Sequence, residues 1–245
     1  MKQQNKIFIG TSGWHYPHWV GPFYPAGTKP ADFFEYYKKF FSTLEINNSF
    51  YRLPEKKTFQ MWKKNSPEDF IFSVKASRYI THIRKLNDPK EITEVFFDRV
   101  AGLGKKCGPI LFQFPPSFRI NIERLSDFLR ILPKKYKYTF EFRHKSWHNE
   151  DVTKLLQKYN AAFCIYELEG FVSDKIVTAD FVYIRLHGPD GKYAGSYSDG
   201  QLKEWADFIK DCHNRKLDVF CYFDNDQAAY APKNALKLKE SLRIK

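Results

Sequence analysis

Apolar residues recur along this chain in two rhythms. Short runs alternate or stay continuously apolar, and between most of them apolar positions return every third or fourth residue. The first rhythm predicts strands and the second helices. Strands are predicted at Ile7–Gly10, Thr43–Asn47, Phe70–Lys75, Pro109–Phe114, Thr139–His144, Ala162–Tyr166, Phe181–His187 and Asp218–Asp224. Helices are predicted over about Ala31–Phe40, Pro54–Trp62, Pro89–Leu103, Ile122–Leu132, Glu150–Tyr159, Asp199–Asn214 and Ala228–Leu242. Pro30, Pro54 and Pro89 stand at helix starts, where a missing N–H costs little. Residues 167–179 show little helical periodicity, so the sixth crossover is expected to be degenerate.

Eight strands, nearly all separated by helices, within 245 residues is the arithmetic of a (β/α)8 TIM barrel. A doubly wound sheet is the runner-up, but it usually has fewer strands, and the first turn here lacks GxGxxG. No repeat, low-complexity tract or linker interrupts the pattern, so one domain over 1–245 is expected.

Composition adds a basic surface to that picture. The net charge is +12, but much of it sits in pairs such as Lys38-Lys39, Lys63-Lys64 and Lys134-Lys135 on predicted helices and turns, where a solvated face is the default. Aromatics reach 18%, which suits a core of bulky strand residues. Cys107, Cys164, Cys212 and Cys221 form no CxxC, and reduced thiols are expected. The stretch from Met1 to Lys6 runs directly into a strand without a signal-peptide core, and no apolar span is long enough for a membrane. A cytoplasmic protein with no membrane partner is the expectation.

The candidate chemistry lies at strand ends. In Thr139–His144, Phe140 and Phe142 share one face, while Thr139, Glu141 and Arg143 share the other. The same alternation gathers Glu45, Asn47, Lys75, Gln113, Arg185 and His187 at the C-terminal ends of their strands, where such barrels carry their sites. Periodicity leaves open whether Asp224 or Asn225 joins them. Lys75, Arg143, Arg185 and His187 outnumber Glu45 and Glu141, so the set is cation-rich unless Asp224 points inward. That favours a small anionic ligand, phosphate or carboxylate. Self-satisfied ion pairs closing the barrel are the competing explanation.

In a hydrolase- or lyase-like reaction, Glu45 or Glu141 would act as general base and His187 or His82 would exchange protons. Lys75, Arg143 and Arg185 would hold the anion. Asn47, Gln113 and Asn225 would orient it, and Trp14 and Tyr193 from flanking loops would contact the substrate. No cofactor is predicted. A divalent metal is the competing reading, because Glu45, Glu141, His82, His187 and Asp224 are ligand types, but no HxxxH, HxH or DxH spacing supports it. The second function considered is nucleic-acid binding or processing, with the basic surface on the backbone and Trp14, Tyr16, Tyr193 and Tyr197 stacking bases. Nothing in the sequence fixes an oligomeric state.

Several motifs resemble the YecE-like family, domain of unknown function 72. They are Gly10-Thr11-Ser12-Gly13-Trp14, Glu45-Ile46-Asn47 with Ser49 to Pro54, Val74-Lys75-Ala76, Thr81-His82, Gly108 to Phe118, Glu141-Phe142-Arg143-His144 with Ser146-Trp147, and Tyr183 to Gly188. The resemblance runs in order from residue 7 to Asn234-Ala235. It implies a TIM barrel without an assigned chemistry and a distant, fold-level likeness to the metal-dependent xylose isomerase and endonuclease IV barrels. The family's Phe-Asn-Asn reads Phe223-Asp224-Asn225 here. An inward Asp224 would offset the spare positive charge.

Overall fold

The strand-forming runs become β1 (Ile7–Thr11), β2 (Thr43–Ile46), β3 (Ile71–Lys75), β4 (Cys107–Phe114), β5 (Tyr138–Phe142), β6 (Ala162–Leu168), β7 (Phe171–Val172), β8 (Phe181–Leu186) and β9 (Asp218–Phe223). The helices are α1 (Phe33–Tyr37), α2 (Asn48–Tyr51), α3 (Lys56–Lys64), α4 (Lys90–Val100), α5 (Ile122–Ile131), α6 (Glu150–Lys158), α7 (Asp199–Asn214) and α8 (Tyr230–Ser241). These elements come from a computed structural model that describes residues 5–244. Residues 1–4, part of the polar lead into the first strand, and residue 245 lie outside the described residues, as do those ends of the expected 1–245 span.

Parallel strands alternating with helices give the chain the (β/α)8 TIM-barrel-like fold that its pattern predicts. The sixth crossover holds no helix. β6 instead turns back through Glu169 and Gly170 into the short antiparallel β7, with Glu167 paired to Val172. No helix among the described residues is long and apolar enough to cross a membrane.

The described residues fall into two compact units. The first takes the chain through Glu45, Ile165–Lys175 and the chain from Asp180. Here β9 lies between β1 and β8, with Ile7 opposite Val219 and Phe181 opposite Asp218. Gly10 in β1 is a packing requirement, because a Cβ there would lie 2.5 Å from the Thr43 carbonyl oxygen. Gly10→Ala is expected to lower the melting temperature, since backbone cannot yield as a flexible side-chain end does; thermal unfolding checks it. Trp19 is fully buried and donates its indole N–H to the Asp226 carbonyl at 2.9 Å.

The second unit is Ile46–Cys164 with Ile176–Ala179. β4 runs between β3 and β5 in a register that sets Phe112 beside Phe140 and Phe114 beside Phe142. Because alternate residues share a face, four Phe rings form one ladder. Phe112 and Phe140 lie 5.4 Å apart, as do Phe114 and Phe142. Trp147 caps the ladder, parallel to Phe142 at 4.5 Å, and donates to the Phe118 carbonyl at 2.7 Å. The opposite face carries Gln113 paired in register with Glu141, which is how β4 and β5 bring polar groups to one end.

Candidate functional site

In the first unit, four strand ends converge on Arg185. Alternation along β8 puts Tyr183, Arg185 and the following His187 on one face. Arg185 and Glu45 are wholly buried. The guanidinium grips Glu45 with Nε to Oε2 at 3.0 Å and Nη2 to Oε1 at 2.8 Å. Nη2 also reaches Asp224 Oδ2 at 2.9 Å and Ser12 Oγ at 3.2 Å. Glu45 accepts further from the Ser12 hydroxyl and from the Tyr183 hydroxyl, the latter at 2.7 Å. Arg185 Nη1 lies 3.2 Å from His187 Nε2. Guanidinium can only donate, so Nε2 accepts and the ring proton sits on Nδ1. Nδ1 is 3.0 Å from Asp224 Oδ2.

The network is therefore dominated by negative charge, with two carboxylates around one guanidinium. Its field is visible in Tyr16, whose phenol is pushed well above its usual range by burial first, then by Asp224, Asp226 and Glu45. Burial likewise raises Tyr183, helped by Glu45. This answers what strand alternation left open. Asp224, at the end of β9, joins Arg185, so the cation excess assigned to the whole set is absent here. Arg185 spends its donors on Glu45, Asp224, Ser12 and His187, a geometry suited to tying strand ends together rather than to holding a ligand anion.

Asn225 points elsewhere. Its amide donates to the Gly195 carbonyl at 2.8 Å and to Asn234 Oδ1 at 2.9 Å, pinning the loop after β8 onto α8. That loop starts at Gly188, which has φ +112° and would carry a Cβ 2.1 Å from the Ala194 carbonyl oxygen. Tyr193 on the same loop sets its ring edge against His187, 5.7 Å between centroids. Trp14 is buried against Phe34 at 5.8 Å, and Tyr197 is buried with its hydroxyl accepting the Gly188 N–H. Neither Trp14 nor Tyr197 offers an open face for stacking.

The second unit holds Asn47, Lys75, His82, Gln113, Glu141 and Arg143. Arg143 clamps the wholly buried Glu141 through Nε and Nη2, the pairing expected of two residues on one strand face. The Cys164 thiol donates to the other Glu141 oxygen at 3.8 Å. Asn47 precedes α2, and Gln113 turns its amide onto the Phe114 carbonyl at 2.8 Å.

Lys75 ends β3, and its ammonium stands over the Phe50 ring at 4.4 Å. Phe50 in turn meets the His82 ring edge-on at 4.9 Å. His82 sits in a single π-helical turn, Tyr79–Ile83, with Nδ1 2.9 Å from the Thr81 hydroxyl. Its pKa is lowered to about 4 by burial first, then by Lys75, Arg78 and Arg143, while Glu141 acts weakly the other way.

Ser12, Tyr183 and Phe50 fall within the family motifs but outside the set of site residues that alternation assigns. Tyr183 shares the alternation of Arg185 and could have been found from it. Ser12 lies one residue past the end of β1, in an isolated bridge to Glu45, and Phe50 lies in a four-residue helix that reads as loop. Among the described residues no three His, Cys, Asp or Glu side chains gather as a metal site. Glu45 and Asp224 already share Arg185, which any cation there would have to displace.

The family model described as protein of unknown function DUF72 matches residues 8–245. The UPF0759 protein YunF of Bacillus subtilis (strain 168) is 26% identical over 272 aligned positions, covering 97% of this chain and 95% of that protein. The UPF0759 protein YecE of Escherichia coli (strain K12) is 28% identical over 139 positions, 56% of this chain and 48% of that one. A crystal structure of a DUF72 family protein from Thermotoga maritima MSB8 superposes with a TM-score of 0.90 at 28% identity, covering 98% of this chain and all, 100%, of that one. One from Enterococcus faecalis V583 gives 0.81 at 18% identity over 98% of this chain and 99% of that one, which speaks for the fold alone.

Proposed function

The chain belongs to the DUF72 family, and from that premise we propose that it binds a small anion, a phosphate or carboxylate, at the ends of β3 and β5 in the second unit. One observation carries the reading: burial first, and then Lys75, Arg78 and Arg143, hold His82 down to about 4. Three cations around a half-buried imidazole, opposed mainly by Glu141, leave a positive field in a place poor in water. An anion entering there gains charge-assisted hydrogen bonds that water would otherwise dilute. Lys75 supplies a point charge on a buried stem, and Arg143, whose Nε and Nη2 are held by Glu141, supplies its remaining guanidinium edge. His82 is neutral at pH 7, so it can accept a proton from a bound ligand but has none to give. A hydrolase- or lyase-like turnover would use it as the base.

The test reads His82 directly. Bound phosphate favours the imidazolium, so the NMR titration midpoint of His82 is expected to rise from about 4 as phosphate saturates the protein. Lys75→Met should weaken phosphate roughly tenfold or more, the equivalent of one charged hydrogen bond. A midpoint that stays in place, with Lys75→Met binding as well as wild type, would overturn the proposal.

A stability effect accompanies it. His82 is depressed from 6.5 to about 4, so between those values the unfolded chain takes up a proton that the folded one refuses. Its contribution to stability is present above 6.5 and is lost as the pH falls toward 4. Urea midpoints across that window should fall less steeply in His82→Gln than in wild type.

A further inference from the structure

We infer that the anion taken by the second unit is the phosphate of a nucleotide, with its base stacked on Tyr51; this rests on the anion reading above and names its ligand class. Tyr51 is 76% exposed, more than the other large apolar side chains described. It is nevertheless held in place. Ser49, two residues earlier, is buried and donates to the Lys75 carbonyl at 2.6 Å, fastening α2 to the end of β3. Phe50 turns inward under the Lys75 ammonium, so Tyr51 must turn out. The two rings meet edge to face at 5.0 Å. From the Lys75 ammonium to open solvent there is thus one continuous aromatic path through Phe50 and Tyr51 of α2.

The segment that follows β3 repeats the combination of planes and positive charge. Tyr79 is 36% exposed and has the Arg84 guanidinium 5.4 Å over its ring. Arg52 and Arg78 are exposed beside Tyr51 and Tyr79 in sequence. Apolar side chains scattered singly on a surface need no explanation, but exposed aromatic faces with arginines next to them in sequence, one of them reached from a buried lysine through Phe50, supply what a base next to a phosphate requires. A sugar phosphate would use the cations and leave the rings idle. The burial of Trp14 and Tyr197 removes two of the loop aromatics that the sequence offered for this role.

Isothermal titration of the full chain at low salt with inorganic phosphate, ribose 5-phosphate, adenosine monophosphate and a 5′-phosphorylated tetranucleotide tests it, with Tyr51→Ala and Lys75→Met alongside. The mononucleotide is expected to bind roughly tenfold more tightly than ribose 5-phosphate, the scale of one base stacked on one ring. Tyr51→Ala should bring that ratio to near one. A tetranucleotide that competes equally assigns the phosphate to a strand end, and one that fails to compete assigns it to a free nucleotide; both keep the stacked base. Equal affinities for mononucleotide and ribose 5-phosphate, or a ratio that survives Tyr51→Ala, overturn the inference while leaving the anion site standing. Failure of all four ligands to bind in a Lys75-dependent way overturns both.

Discussion

Arg185→Met is expected to cost roughly 3–5 kcal/mol of stability, the range found when a buried ion pair loses one partner. Domains are stable by only about 5–15 kcal/mol in total, so the variant should unfold at markedly lower urea and accumulate poorly. The side chain it replaces is wholly buried and donates to Glu45, Asp224, Ser12 and His187. Methionine fills much of the stem's volume, so the loss is electrostatic rather than a cavity. Two carboxylates would face each other out of water with their common donor gone. The decisive measurement is a double-mutant cycle. Asp224→Asn should destabilise the wild type, which loses a charged acceptor, yet should help the Arg185→Met background, where it removes one of two repelling charges. An Arg185→Met protein as stable as wild type would mean that the network contributes nothing to holding β1, β2, β8 and β9 together.

Trp147→Ala should be of similar size, about 3–5 kcal/mol, for a different reason. The indole is wholly buried, stacks on Phe142 at 4.5 Å and touches Phe118 at 5.2 Å. Its removal opens a cavity at the end of the Phe ladder and leaves the Phe118 carbonyl without its donor. Trp147→Phe refills most of the space but not the hydrogen bond, so it should lose a smaller share. Because Arg143 follows directly on Phe142, the alanine variant should also weaken phosphate binding through a loosened strand end. Urea unfolding and phosphate titration of the pair separate the two effects; an alanine variant within about 1 kcal/mol of wild type would show that the ladder closes over the gap.

The fold was legible because a period of 3.6 marks helices buried on one side, such as α5 and α6, while strand alternation and short apolar or aromatic runs mark strands such as β5 and β8, which are buried on both faces. The Glu141–Arg143 pair was legible for the same reason, since alternation alone puts residues two apart on one face. Legibility failed where the chain is irregular. Asp224 and Asn225 lie just past Phe223, where β9 ends and alternation no longer assigns a direction. α2 is too short to show a period, so Tyr51 was missed while Trp14 and Tyr197 drew attention. An aromatic residue in a loop reads alike whether it is buried like Trp19 or open like Tyr51, because composition carries no depth. The charge balance failed for a related reason. Summing charges over all strand ends treats them as one pool, whereas Arg185 is consumed locally by Glu45 and Asp224.

The pairing of β1 with β9 has a consequence for how the protein is made. Ile7 finds Val219 and Phe8 stacks on Phe220 at 4.8 Å, so the opening strand waits for nearly the whole chain. At the usual pace of translation, the ribosome delivers the second partner roughly 10–40 s after the first. Ile46–Cys164 is contiguous and has most of its own unit's residues well before then. During synthesis the early strand, with Ile7, Phe8 and Ile9, travels with an unpaired edge of the kind that invites aggregation or a chaperone. Translation that stalls before Asp218 therefore strands the beginning of the molecule, and fragments ending there should be cleared by proteases while the full-length chain persists.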